Sequence, residues 1–377
     1  MLKNKDKGIT LIALVITIII LLILAGISIS ALTNQGLFKN AKVAQNATEK
    51  AEEEQGQRLN EYEDEINKYL GNSKEPFKGT TVEDAIKYND ALNVEDNIEL
   101  KDAKNNKIVV PAGFKIVEGA TTVDKGIVIE DVTETATKGS QFVWIPVGTI
   151  TKVDGTTTTV TLGRYDFNST TGVESVYSGD YVEEDTNDST TIQNKGNTIA
   201  KNITNFKHSV AQNGGYYIGR YEARTSTARS AAENALTQIT EKGTENVYNY
   251  VTQLQAAQLS QNMYNSDKFT SDLMNSYAWD TAIVFIQNCG TNSKYSRQKS
   301  LNTSLAQTGT ATDIQCNIYD MASNILEWAT ETSNSSSNPC AYRGGYYYNS
   351  NVYTSSHYYD TTSYSSVDIG FRPLLYL

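Results

Sequence analysis

Residues 317–331 read NIYDMASNILEWATE. Ile325 and Trp328, two of its large apolar side chains, are read as core anchors. Glu327 carries a charge that burial makes costly unless it is paired. Arg372, in the closing run DIGFRPLLY (368–376), is read with Glu327 as buried, hydrogen-bonded structure. Between them lies YRGGYYY (342–348), where Gly344 and Gly345 permit close backbone approach or special dihedrals. Upstream, short apolar runs bounded by Gly and Pro predict strands at 107–119, 126–132, 141–148 and 214–223. TTTTVTLGRYDF (156–167) predicts one more strand, and TVEDAIKYNDAL (81–92) a short helix. The rest of 149–214 reads as long surface loops. Val247, Val251, Leu254 and Ala257 share one helical face, and SYAWDTAIVFIQN (276–288) predicts a second helical segment. No repeat at a fixed period is evident.

The 317–331 stretch resembles the signature of the formylglycine-generating enzyme family, which in most members reads like NVYDMAGNVWEW. YRGGYYY resembles the family's RGGS strand and DIGFRPLLY its closing GFR strand. YYIGRYEA (216–223) is similar to its early YEVT strand, AGFKIV (112–117) to its opening strand, and VWIPVG (143–148) fits as well. The resemblance implies an α+β, C-type-lectin-like domain over 98–377, with short strands and long loops.

Function does not follow from the fold. Enzymes of that family oxidise a substrate Cys with two of their own, placed shortly after the RGGS strand. The corresponding positions here are Asn349 and Thr354, and no Cys follows 340. Copper–thiol chemistry therefore lacks its ligands, and no catalytic residue is assigned. The resemblance implies calcium as the one cofactor, through Asn324 and Glu327, with Ser323 where the family has Gly; a hydrogen-bonded turn without metal is the alternative.

Composition narrows the remaining classes. Two His, at 208 and 357, cannot build a multi-His metal site. Three Cys (289, 316, 340) form neither a zinc knuckle nor a dense disulfide framework. The net charge of −11 argues against a general nucleic-acid partner. The chain holds 24 Tyr against 9 Phe, and eight of those Tyr fall within 341–368, AYRGGYYYNSNVYTSSHYYDTTSYSSVD. Tyr supplies large, rigid contact area, and Ser and Asn supply adaptable hydrogen bonds, as in antibody paratopes. The expected ligand-binding residues are Tyr346, Tyr348, Asn349, Asn351, Tyr353, His357, Tyr358, Tyr359 and Tyr364. Tyr, Asn, Ser, Thr, Asp and His are one-base relatives of Asn codons. In this the tail resembles the variable proteins of diversity-generating retroelements. A fixed ligand-binding surface and a purely structural tail are the alternatives.

The N-terminus opens with a basic leader (1–8, MLKNKDKG) and an uncharged apolar run (9–32) long enough to cross a bilayer. It resembles a type IV prepilin, which implies cleavage between Gly8 and Ile9 by a prepilin peptidase. Pilins carry Glu at the fifth mature position, and Ala13 stands there. A plain signal anchor is the alternative. Residues 33–70 continue as an acidic helical stalk, with eight acids between 49 and 65 against Lys50 and Arg58, and 71–97 as a linker. These readings predict a membrane-anchored or pilus-associated protein with its C-terminal domain on the extracellular side. The expected partners are the membrane, other pilin subunits, and a surface protein or glycan ligand. The rival readings are a structural minor pilin and a divergent formylglycine-generating-type enzyme.

Overall fold

The computed structural model describes residues 14–22, 47, 48, 50, 51, 55, 58, 77–185, 199–232, 235–310, 312–348 and 351–377. The chain divides into two compact units, Met1–Glu75 and Pro76–Leu377. In the first, residues 14–22 are helical. No helix among the described residues is long and apolar enough to cross a membrane. The expected membrane-anchored or pilus-associated localisation is corrected accordingly. The leader pair Gly8 and Ile9, and most of the stalk, lie outside the described residues.

The second unit is mixed α and β, with short strands and much irregular chain. Its described residues form four α-helices: α1 (Val82–Ile86), α2 (Ile203–Asn213), α3 (Gln253–Gln261) and α4 (Ser276–Cys289). The strands of its two main sheets are β1 (Phe114–Ile116), β2 (Val128–Asp131), β3 (Gln141–Pro146), β4 (Gly215–Gly219), β5 (Thr270–Leu273), β6 (Leu326–Thr332), β7 (Cys340–Arg343), β8 (His357–Asp360), β9 (Ile369–Phe371) and β10 (Pro373–Tyr376). The first sheet has the order β5-β10-β4-β3-β2-β1 and is antiparallel throughout. The second has the order β8-β7-β6-β9, with only β6 and β9 parallel.

Helix α4 packs against both sheets. Asn275 caps its start by accepting the Ala278 N–H, and eleven of its residues are buried, Trp279 and Phe285 among them. Such an all-round apolar helix belongs inside a core. Tyr216 of β4 reaches it through a hydroxyl bond of 2.7 Å to the Ala278 carbonyl. Behind Tyr217, the Trp144 ring packs edge-on at 4.9 Å. Val82, Ala85 and Leu92 are buried in the same core.

The predicted strands and the second predicted helix form. Details differ. The helical face read on Val247, Val251, Leu254 and Ala257 is cut short: Val247 lies in a two-residue strand, and the helix starts only at Gln253. The 156–167 run breaks into Thr157–Val160 and Tyr165–Phe167 around Gly163. The 81–92 helix stops at Ile86. Within the region read as loops, α2 forms: Asn202 caps it, Ile203, Phe206 and Val210 bury one face, and Gly214 ends it at φ 75°. Cys289, Cys316 and Cys340 are unpaired thiols.

Gly126 shows how closely the backbone packs. Its φ is +79°, and a Cβ built on it would lie 1.8 Å from the Cys316 carbonyl oxygen. Gly126→Ala combines left-handed strain with a collision against rigid backbone. We expect a loss of roughly 2–4 kcal/mol, read as a lower urea midpoint.

Candidate functional site

The tail is mounted on a frame of buried ion pairs. Glu327 on β6 and Arg372, between β9 and β10, are both fully buried and form a two-pronged pair: Nε to Oε2 at 3.1 Å, Nη2 to Oε1 at 2.7 Å. Arg372 also donates to the Gly219 and Tyr319 carbonyls. Each Glu327 oxygen thus accepts one Arg372 N–H. Asn324 is likewise engaged, its Oδ1 accepting the Ala306 N–H and its Nδ2 donating to Glu222. Among the described residues, no group of three or more acidic, His or Cys side chains could hold a metal ion.

A second frame lies under β7 and β8. Arg343, fully buried, pairs with Asp280 of α4, reaches Glu331 at 3.4 Å, and donates its Nε–H to the Ser356 carbonyl. Arg164 meets the other Glu331 oxygen at 3.0 Å and lies over the Tyr177 ring. These bonds tie β6, β7, α4 and the turn before β8 into one polar layer. Trp279 adds an indole N–H bond of 3.0 Å to the Thr354 carbonyl.

Strand register then sorts the tyrosines. Tyr358, Tyr342, Trp328 and Phe371 stand opposite one another across β8, β7, β6 and β9. The Tyr342 ring stacks on Tyr358 at 5.8 Å and on Tyr364 at 6.4 Å, with interplanar angles of 21° and 17°. Trp328 meets Tyr342 and Tyr364 edge-on from the core side. Its indole N–H is held by the Val251 carbonyl at 2.7 Å. The row is therefore anchored at one end and open at the other, where Tyr358 is 37% exposed. Tyr346 and Tyr347 continue the cluster along the loop, and Tyr348 is 81% exposed.

The structure does not bring all nine expected residues together. Tyr346, Tyr348, Tyr358 and Tyr364 belong to the stacked cluster or its rim. Asn351 is exposed, and Asn349 lies outside the described residues. Tyr353 is covered by Arg297, 3.5 Å from its ring centre. His357 and Tyr359 point to the opposite face, because side chains alternate along β8. There the His357 ring packs between Tyr177 and Tyr181, and Tyr359 packs against Tyr181. His357 Nε2 faces Glu331 at 3.2 Å without hydrogen-bond geometry. Thr354, one of the two positions where the family's catalytic Cys would stand, is fully buried.

Two buried groups beneath this face titrate in opposite senses. Burial and then the nearby Glu331 charge push the Glu183 carboxyl up to about 7 from 4.5. Burial and then the Arg343 charge pull His357 down to about 3 from 6.5. The folded state holds the Glu183 proton more tightly than the unfolded chain does. Its stabilisation is complete below pH 4.5 and is lost as pH rises to about 7. For His357 the unfolded chain binds the extra proton, so stability falls as pH drops from 6.5 towards 3. Glu183→Gln is expected to steepen the loss of stability on acidification between pH 6.5 and 4.5. His357→Gln is expected to make stability rise over that window relative to the parent chain. Urea midpoints across that range check both signs.

Sequence reading missed one concavity altogether. A cleft of about 740 Å³ opens between the chain at 94–96, 133–137 and 263–269, over Phe114, Tyr264 and Phe269. Asp131 organises its wall by accepting from Thr133, Thr137 and Tyr264. The local signal was the Thr-x-Thr-x-Thr run at 133–137 directly after the strand that carries Asp131.

No protein-family model matches the chain, and no curated protein matches it. Several solved structures do. Variable protein 1 of Treponema denticola aligns at 11% identity over 64% of this chain and 98% of that one, with a TM-score of 0.36. CarF aligns at 14% identity over 43% of this chain and 86% of its own, with a TM-score of 0.31. The M1 variant of the Major Tropism Determinant aligns at 12% identity over 75% and 81%, with a TM-score of 0.30. At such identities and scores no residue role is carried over from any of them.

Proposed function

We propose that Pro76–Leu377 is a ligand-binding domain of the C-type-lectin-like, formylglycine-generating-enzyme type. Its contact surface is the tyrosine face of β7, β8 and the following loop. One observation carries this reading: a row of stacked rings is locked to the core at Trp328 and left open at Tyr358. Rigid aromatic anchors beside Ser, Thr and Asn hydroxyl and amide groups are what protein-binding loops use. A rigid scaffold under irregular chain is the usual mounting for such a surface.

The reading is non-catalytic. The family's thiol chemistry needs Cys at 349 and 354, where Asn and Thr stand. Burial pushes the Cys289 and Cys340 thiols up to about 12, which leaves little thiolate for attack at neutral pH. Incubation of the full chain with a Cys-containing sulfatase peptide, copper and oxygen is expected to yield no aldehyde; aldehyde formation would contradict the reading. The ligand class is a surface protein or a glycan. Probing the full chain on arrays of both is expected to give selective capture that disappears when Tyr348 and Tyr358 are replaced by Ser. Capture that survives those replacements contradicts the assignment of this face. Sequencing codons 342–366 across one lineage checks whether these positions are also diversified, with changes expected at the Tyr and Asn codons.

A further inference from the structure

Many packed tyrosines in this protein carry a cation of the chain's own. Arg297 lies 3.5 Å from the Tyr353 ring centre, Lys207 4.0 Å from Tyr277, Arg164 4.3 Å from Tyr177 and Arg229 4.8 Å from Tyr248. Among the described residues, no Lys or Arg lies over Tyr342, Tyr346, Tyr347, Tyr348, Tyr358 or Tyr364. The sequence explains the difference, since residues 344–368 contain neither Lys nor Arg. The tail's Arg343 is spent on the opposite face against Asp280 and Glu331.

The formal charges that act on this row are negative. Burial, then neighbouring tyrosines and the Asp360 and Asp368 charges, hold the Tyr342 hydroxyl above the ordinary phenol range. Tyr364 is shifted the same way by burial, then Asp368 and Asp360. Asp360 Oδ1 accepts the adjoining Thr361 N–H at 2.7 Å. Asp368 Oδ1 is buried with no hydrogen-bond partner. Leaving that oxygen unpaired costs free energy and keeps its negative charge uncompensated beside the row.

We infer that the tyrosine face takes a basic segment of a partner protein, with a guanidinium or ammonium group against the Tyr358 end of the row and in the field of Asp360 and Asp368. The inference rests on the reading of this face as the contact surface and adds the charge of what it contacts. The ring faces present negative quadrupole potential, and two carboxylates at their border add to it. A guanidinium also stacks flat on a ring, as Arg297 does on Tyr353. An anionic glycan would meet the same carboxylates with repulsion.

The test uses the full chain and three labelled peptides of one neutral backbone. The first carries three Arg, the second three citrullines of nearly the same shape without charge, and the third three Glu. Anisotropy is read in 0.5 M NaCl, where screening confines charge effects to within a few ångströms and suppresses the acidic stretch at 49–65. The Arg peptide is expected to bind about tenfold tighter than the citrulline peptide, in line with one desolvated cation–π contact. Tyr358→Leu, which keeps apolar bulk and removes the ring, is expected to erase that preference, and Asp368→Asn to reduce it severalfold. Equal affinity for Arg and citrulline, no binding of the Arg peptide, or a preference surviving in both variants would each overturn the inference. Equal affinity that is nevertheless lost in Tyr358→Leu overturns the cation and leaves the contact surface standing.

Discussion

Arg343→Ala is expected to cost about 3–5 kcal/mol, because it strands Asp280 and Glu331 as buried charges without their cation. Both carboxylates are fully buried, and Arg164 compensates only one oxygen of Glu331. Glu183, already pushed up by burial and then by Glu331, shares the site and would feel the added repulsion. The loss corresponds to a fall in melting temperature on the order of 5–10 °C for a unit of this size. It is local in origin: Arg343 joins β7 to α4 and to the Ser356 carbonyl beneath the tyrosine face. Ligand affinity should therefore fall with stability. Arg343→Met separates the two contributions, since it restores packing volume but not charge; it should recover part of the stability only when Glu331 is also replaced by Gln. A melting temperature unchanged in Arg343→Ala would mean that the polar layer does not hold the frame.

Tyr358→Ala and Tyr342→Ala are expected to weaken the captured ligand by about 2–4 kcal/mol each, roughly 30- to 1,000-fold, as central aromatic anchors do. The two should not add. Their rings stack at 5.8 Å, so removing one loosens the other, and a double-mutant cycle should show coupling of about 0.5–3 kcal/mol. Tyr358, on the open end, should lose affinity with little loss of stability. Tyr342, wedged against Trp328, should lose both. Titration of ligand against each variant, beside its urea midpoint, checks that split.

Much of this architecture can be read from the chain. β-branched runs bounded by Gly and Pro mark the strands of the first sheet. The apolar periodicity of SYAWDTAIVFIQN marks α4. Glu327 and Arg372 pair because a lone buried charge is untenable, and their residue types alone point that way. Helix α2 is harder, because Lys207, His208 and several amides dilute its apolar face; only the Asn202 cap, the Ile203–Phe206–Val210 stripe and Gly214 reveal it. The polar layer joining Arg164, Asp280, Glu331 and Arg343 has no local signature, since its members come from four distant segments. Within the tail, composition places the tyrosines but not their faces. HYYD (357–360) alternates, so His357 and Tyr359 turn away from Tyr358, and the strand register decides which residues act together.

Hydroxyl-radical footprinting of the full chain, with and without its captured ligand, tests the central claim most directly. The account predicts protection of Tyr342, Tyr346, Tyr348, Tyr358 and Tyr364, with Tyr264 and Met263 in the cleft beside Asp131 unchanged. Protection confined to that cleft, with the Tyr348 and Tyr358 rings as reactive as in the free protein, would contradict it.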